Sequence, residues 1–119
     1  MLIGKNNPLN ATLAETLSDY MSTGSRVSPE EFLSPDFDST IEEVVVFVNL
    51  IDLTNQESQI VKKVRALSKE TKIVAIHTFT VPSMIEQVIS HGYDAYLSFF
   101  DLSRDMDSLM NSLRENSEV

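Results

Sequence analysis

The sequence predicts an α/β domain in which strands and helices alternate around one parallel sheet. Two apolar runs carry this prediction, Val44 to Val48 and Lys72 to Ile76, and each is typical of a strand buried on both faces. With 119 residues, 42% of them hydrophobic, the chain fits one domain that can bury its own core. We expect that domain to span residues 1 to 115, with a polar tail or the start of a linker at residues 116 to 119.

The first run is expected to extend through Leu50 and Ile51. The segment between the two runs has apolar residues three and four positions apart, the spacing of one stripe on a helix: Ile60, Val61, Val64 and Leu67. Strand, helix and strand form a βαβ unit, whose crossover is right-handed in nearly all proteins.

The alternation continues toward the C-terminus. A further helix is predicted to end at His91 and Gly92. A short strand is predicted at Ala95 to Leu97. The apolar residues assigned to the first of these elements are Met84, Ile85, Val88 and Ile89. A last helix is expected to carry Leu102, Met106, Leu109, Met110 and Leu113.

The N-terminal part is predicted to contain a strand at Met1 to Ile3 and a helix with Pro8 in its first turn. The inner face of that helix is assigned to Leu9, Leu13, Leu17 and Met21.

Residues 22 to 43 are the weakest part of the pattern. We expect a short strand at Arg26 and Val27, and a short helix that opens with a capping box at Ser28 and Glu31 and stops near Ser34-Pro35-Asp36. The rest of the segment is expected to be irregular.

Composition excludes several classes of function. A net charge of −9 opposes unaided binding to nucleic acid, and the absence of cysteine removes disulfides and thiolate sites. No apolar run is long enough to span a bilayer, so a cytoplasmic protein without membrane contact is expected. The two histidines, His77 and His91, have no second ligand-type residue at helical spacing, so neither a metal nor a cofactor is expected.

Three stretches of the sequence resemble the receiver domain of bacterial response regulators, especially receivers joined to LuxR-type helix-turn-helix domains. They are the segments Met1 to Leu9, Val64 to Ile76, and His91-Gly92-Tyr93-Asp94-Ala95-Tyr96-Leu97. The resemblance implies a five-stranded (βα)5, flavodoxin-like, doubly wound parallel sheet. It runs without insertion or deletion from the end of the third strand to the fifth.

In that register the family's phosphate chemistry is replaced throughout. The phosphoacceptor aspartate falls on Asn49, and its two metal-binding acids fall on Lys5 and Asn6. The switch Ser or Thr falls on His77, with Thr78 just behind, and the invariant lysine falls on Phe99. The switch aromatic is matched by Tyr96.

These replacements predict a degenerate receiver that is not an enzyme. A receiver takes phosphate by attack of a carboxylate oxygen, with the charge neutralised by a divalent ion. Asn49 offers a neutral amide instead, and Lys5 places an ammonium group where Mg²⁺ needs oxygen ligands.

Several alternatives remain open at this point. A local shift could bring Asp52 into the pocket as the phosphoacceptor of a conventional Mg-dependent receiver. Alternatively, the Lys5 side chain could pair with Asp52 and lock the pocket. The segment Asp101-Leu102-Ser103-Arg104 resembles the last part of a cyclic-dinucleotide-binding motif. That motif begins with a Trp, and the chain has none. An enzyme on a flavodoxin-like fold would need an acid, base and nucleophile set that this chain does not display.

We therefore expect a phosphorylation-independent signalling domain that acts through protein contacts, as a homodimer or with a protein partner. The resemblance implies the input domain of a bacterial transcriptional regulator, with a possible C-terminal helix-turn-helix domain outside this chain. Candidate interface residues are Phe99, Phe100, Met106 and Met110.

Overall fold

The computed structural model describes residues 1–21, 26–35, 37, 45–53, 55–78, 82–99, 108 and 111. Five parallel strands form one sheet in the order β2-β1-β3-β4-β5. The strands are β1 (Leu2–Ile3), β2 (Arg26–Val27), β3 (Val45–Asn49), β4 (Lys72–His77) and β5 (Ala95–Ser98). The helices are α1 (Pro8–Leu17), α2 (Pro29–Leu33), α3 (Glu57–Leu67) and α4 (Pro82–Ser90). The predicted doubly wound α/β fold is confirmed.

Two apolar layers cover the two faces of the sheet because successive strand residues point to opposite sides. On one face Val46 and Val48 pack with residues of α2, α3 and α4, including Phe32, Ile60 and Val88. On the other face the sheet packs against α1; this layer includes Leu2, Leu13, Leu17, Val45 and Phe47. The predicted stripe of α3 is buried at Ile60, Val61 and Val64.

The third strand ends earlier than predicted. The chain leaves β3 after Asn49 and forms a 3-10 turn at Leu50–Asp52, which leaves Ile51 43% exposed. The Asn49 side chain causes this turn, since its Oδ1 accepts a hydrogen bond of 3.1 Å from the backbone N–H of Ile51. The predicted extension of the strand through Leu50 and Ile51 is therefore wrong; Val44 lies outside the described residues.

The inner face of α1 also differs from the prediction. Leu9 is 48% exposed, whereas Asn10 is fully buried together with Leu13 and Leu17. The helix begins with Asn7 as its N-cap and Pro8 at its first position, and this start turns Asn10 toward the sheet. Burial of an amide rather than a leucine at this position determines the chemistry of the site.

The strand β2 and the start of α2 agree with the prediction. Ser28 and Glu31 form the full capping box of α2, and α2 ends at Leu33. Near the C-terminus, Ser108 and Asn111 are helical and exposed. The rest of the predicted last helix, including Met106 and Met110, lies outside the described residues, as do Phe100 and the predicted tail.

Candidate functional site

The candidate site lies where β1 and β3 end side by side. The two strands are paired with Ile3 opposite Val48. The next residue after each of these two, Gly4 and Asn49, therefore lies at the same edge of the sheet. The N-terminus of α1 covers this edge. Carboxyl ends of parallel strands are where open α/β sheets bind their ligands.

Asn49 ends β3 and is fully buried. Its Nδ2 donates a hydrogen bond of 2.8 Å to Oδ1 of Asn10, and its Oδ1 accepts from the backbone N–H of Ile51. Both ends of the amide are therefore engaged within the protein.

Asn10 is the centre of the hydrogen-bond network. Its Oδ1 accepts from Asn49, and its Nδ2 donates to the carbonyl of Lys5 at 2.6 Å and to Oδ2 of Asp52 at 2.7 Å. The backbone N–H of Asn10 donates to Oδ1 of the N-cap Asn7 at 2.8 Å, which sets the start of the helix against the site. We call the side chains of Asn10, Asn49 and Asp52 the amide cluster.

Gly4 lets the end of β1 approach the amide cluster closely. A Cβ at this position would lie 2.7 Å from Nδ2 of Asn10, closer than non-bonded heavy atoms tolerate. Any larger residue would therefore displace the Asn10 side chain or the strand.

Asp52 reaches the site without any shift of the strand register. The 3-10 turn carries it back toward β1, where Oδ2 also accepts a hydrogen bond of 3.0 Å from the backbone N–H of Lys5. The contact between Lys5 and Asp52 is thus made by the backbone N–H of Lys5. Lys5 and Asn6 are both exposed.

Within the amide cluster, the surroundings of Asp52 suit a carboxylate that accepts hydrogen bonds from N–H donors. Hard cations need several oxygen ligands, whereas the groups that face Oδ2 of Asp52 are the Asn10 amide N–H and the Lys5 backbone N–H. Within the described ranges, no cluster of three or more Asp, Glu or His residues has the placement to hold a metal ion.

The architecture can be compared with known proteins. No protein-family model matches the chain, and no curated protein matches it by sequence. Among solved structures, the phosphorylated cyanobacterial phytochrome response regulator RcpA is similar, with a TM-score of 0.57 and 11% sequence identity. The alignment covers 98% of this chain and 89% of that one. The chain has the receiver fold.

The other receiver positions named from the sequence lie along β4 and β5. His77 ends β4 and pairs with Ser98 of β5, and its ring stacks on that of Tyr96 with centroids 6.5 Å apart. The Tyr96 hydroxyl contacts Sδ of Met84 on α4 at 3.6 Å, and partial burial raises the pKa of this phenol. The rings of His77 and Tyr96 are thus neighbours on adjacent strands.

Thr78 and Phe99 complete the set of predicted receiver positions. Thr78 is half-buried beyond the end of β4, and Phe99 packs against the core layer that contains α1. Phe100, its neighbour among the candidate interface residues, lies outside the described residues.

Sequence reasoning did not find Asn10 or Gly4, and it considered Asp52 only through a shifted register. A signal for Asn10 was present, because it precedes Leu13 by three residues and Leu17 by seven and so shares their helix face. A polar residue on a buried face needs hydrogen-bond partners, which is a reason to look for a network there.

Within the described part of the chain, the helices are too short or too polar to cross a bilayer.

Proposed function

We propose that this chain is a receiver-like signalling domain that works through protein contacts without taking up phosphate. One observation carries the proposal: the buried amide of Asn10 lies between Asn49, Lys5 and Asp52, and hydrogen-bonds to the Asn49 amide, the Lys5 carbonyl and Oδ2 of Asp52. A pocket occupied by a protein side chain cannot also hold a divalent ion and a phosphoryl group.

The energetics support the same reading. A buried amide with its donors and acceptor satisfied is stable in place, because breaking its bonds would leave buried polar atoms unpaired at about 1 to 3 kcal/mol each. Phosphate uptake would have to displace Asn10 at this cost and free the Asp52 oxygen from two N–H donors. The part of the chain that the structure describes would also offer this reaction no acidic metal site.

The position of Asp52 supports a second candidate, a conventional phosphoreceiver that uses this residue. Asp52 lies 2.7 Å from Asn10 at the edge where a receiver would carry its acceptor, and it is half-exposed. This candidate requires the Asp52 carboxylate to exchange its N–H donors for Mg²⁺.

Treatment with beryllofluoride and Mg²⁺, and separately with acetyl phosphate and Mg²⁺, tests the two candidates. The readouts are backbone amide chemical shifts and intact mass. We expect no saturable shift at Asn49, Asn10 or Asp52 and no phosphoryl adduct. A saturable change that is lost in Asp52→Asn and kept in Asp19→Asn, a substitution on the turn after α1, would establish the second candidate instead.

We further propose that the domain is the input half of a bacterial transcriptional regulator that pairs with a copy of itself or with another protein. The three receiver-like stretches of sequence support this assignment. Light scattering across a concentration series measures self-association of the chain: a mass that rises toward twice the monomer value is expected for a homodimer. A mass that stays at the monomer value would exclude the homodimer over that concentration range and leave a different protein as the proposed partner.

A further inference from the structure

The only two histidines of the chain line one cleft, although they are 14 positions apart in the sequence. The cleft has a volume of about 140 Å³ and lies between the end of β4, the start of α3 and the inner face of α4. Its polar lining consists of Glu57, His77, Gln87 and His91. Leu50, Met84 and Val88 form its apolar wall. The topology therefore creates a site that the sequence spacing of the histidines does not reveal.

One residue of the cleft lining, His91, has a buried nitrogen for which the described residues provide no partner. Nδ1 of His91 is buried and makes no hydrogen bond to the described residues. Since buried ring nitrogens are normally satisfied, an unpaired one in a residue of the cleft lining points to a place for a ligand atom, which the ring must turn to meet. Neutral imidazole has one acceptor nitrogen, so a ligand that donates N–H groups can satisfy it.

The charge of the lining selects the sign of the ligand. Among the described residues that form the cleft wall, Glu57 carries the only formal negative charge and there is no Lys or Arg. The protein as a whole has a net charge of −9, which attracts cations over longer distances. A ligand with a positive, N–H-bearing head and a short apolar stem matches both parts of the wall.

We propose that this cleft binds a primary ammonium group on a short aliphatic chain, held by Glu57, His91 and Gln87, with the chain against Leu50, Met84 and Val88. The group can come from a small free amine or from a lysine side chain of a partner protein. The cleft is separate from the amide cluster, because neither Asn10, Asn49 nor Asp52 lines it. The cleft shares His77 with the receiver positions named from the sequence, and an amine titration tests it without phosphate or Mg²⁺.

Titration of the protein with n-butylammonium, followed by ring and backbone chemical shifts, tests the proposal, with n-butanol as the neutral probe of similar size. We expect a saturable shift at His77 and His91 with the amine and a much weaker effect with the alcohol. The same titration with the N-acetyl, N-methylamide derivative of lysine presents the group as a peptide side chain. Binding of the free amine alone favours a small-molecule ligand, and binding of both favours a protein side chain.

A matched pair of variants separates local binding from general electrostatics. Glu57→Gln removes the carboxylate of the cleft and keeps its shape, whereas Glu70→Gln removes the same charge from an exposed position beyond α3. We expect about a tenfold weaker affinity in Glu57→Gln, as for the loss of a hydrogen bond between charged groups, and no change in Glu70→Gln. Equal effects of the two variants, equal binding of amine and alcohol, or no saturable shift would overturn the proposal.

Discussion

Asn10 and Asn49 are both fully buried, and a hydrogen bond of 2.8 Å joins Nδ2 of Asn49 to Oδ1 of Asn10. This bond links the first turn of α1 to the end of β3, elements separated by 39 residues in sequence. Four predictions follow from it and from the contacts around the same sheet.

Asn10→Ala should lower the free energy of unfolding by about 1 to 3 kcal/mol, because it leaves the buried Asn49 amide without an acceptor. Urea denaturation at neutral pH measures the change. Asn6→Ala is the control, since Asn6 is exposed and should alter stability by no more than about 0.5 kcal/mol. If Asn10→Ala were as stable as Asn6→Ala, the amide cluster would not contribute to folding.

Gly4→Ala should destabilise the fold by about 1 to 3 kcal/mol because the added methyl group would overlap Nδ2 of Asn10. A double-mutant cycle with Asn10→Ala identifies the cause. Once the Asn10 amide is removed, the methyl group has space and the cost of Gly4→Ala should fall toward zero. An undiminished cost in the double variant would assign the effect to the strand backbone.

Tyr93 should make stability fall at alkaline pH. Burial, with a smaller contribution from Glu57, raises the pKa of this phenol far above its ordinary value of 10.0, and its hydroxyl donates to the carbonyl of Glu57 at 3.1 Å. The folded chain therefore keeps the proton where the unfolded chain releases it. The resulting stabilisation is complete below pH 10 and is lost progressively as the pH rises above 10 and through the folded-state pKa.

Unfolding free energies between about pH 9 and pH 11 test this dependence. Tyr93→Phe should reduce the slope of the unfolding free energy against pH by up to the equivalent of one proton. The variant should also be less stable at neutral pH by about 1 kcal/mol, for the lost hydrogen bond. Equal slopes in the parent and in Tyr93→Phe would rule out this linkage.

Lys63→Met should loosen the contact between α2 and α3. Nζ of Lys63 donates to the carbonyl of Ser34 at 2.8 Å and lies 5.3 and 5.2 Å from the ring centroids of Phe32 and Phe37. Methionine keeps the apolar stem and removes the charge, which should cost about 1 to 2 kcal/mol.

The neighbouring Lys62 is exposed, so Lys62→Met provides the matched control for charge and composition. Hydrogen exchange of the α2 amides and urea denaturation together report the loss. The idea fails if the two lysine variants behave alike.

Much of the fold could be predicted because local pattern and tertiary environment agree. The α3 stripe is buried at Ile60 and Val64, and the turn at Gly92 has the positive φ of 109° that glycine permits. The chain ends β3 at Asn49 rather than later because a side chain hydrogen-bonds to the backbone, which hydrophobicity alone does not report.

The candidate site was predicted only in part. The sequence placed Lys5 and Asn49 at one edge of the sheet, but the group that joins them is Asn10, whose burial depends on the rotation of α1 against the sheet. The approach of Asp52 depends on a single 3-10 turn. Likewise, His77 and His91 come together only because α4 packs beside the end of β4. Such contacts arise from tertiary packing and leave no spacing signal.

The two outer strands of the sheet, β2 and β5, span only two and four residues. Exposed strand edges recruit other chains by offering unpaired backbone groups, and edges this short offer few of them. The fold thereby resists fibril-like stacking of one copy on another. A partner that joined the sheet as an added strand would likewise find few backbone groups to pair with at β2 and β5.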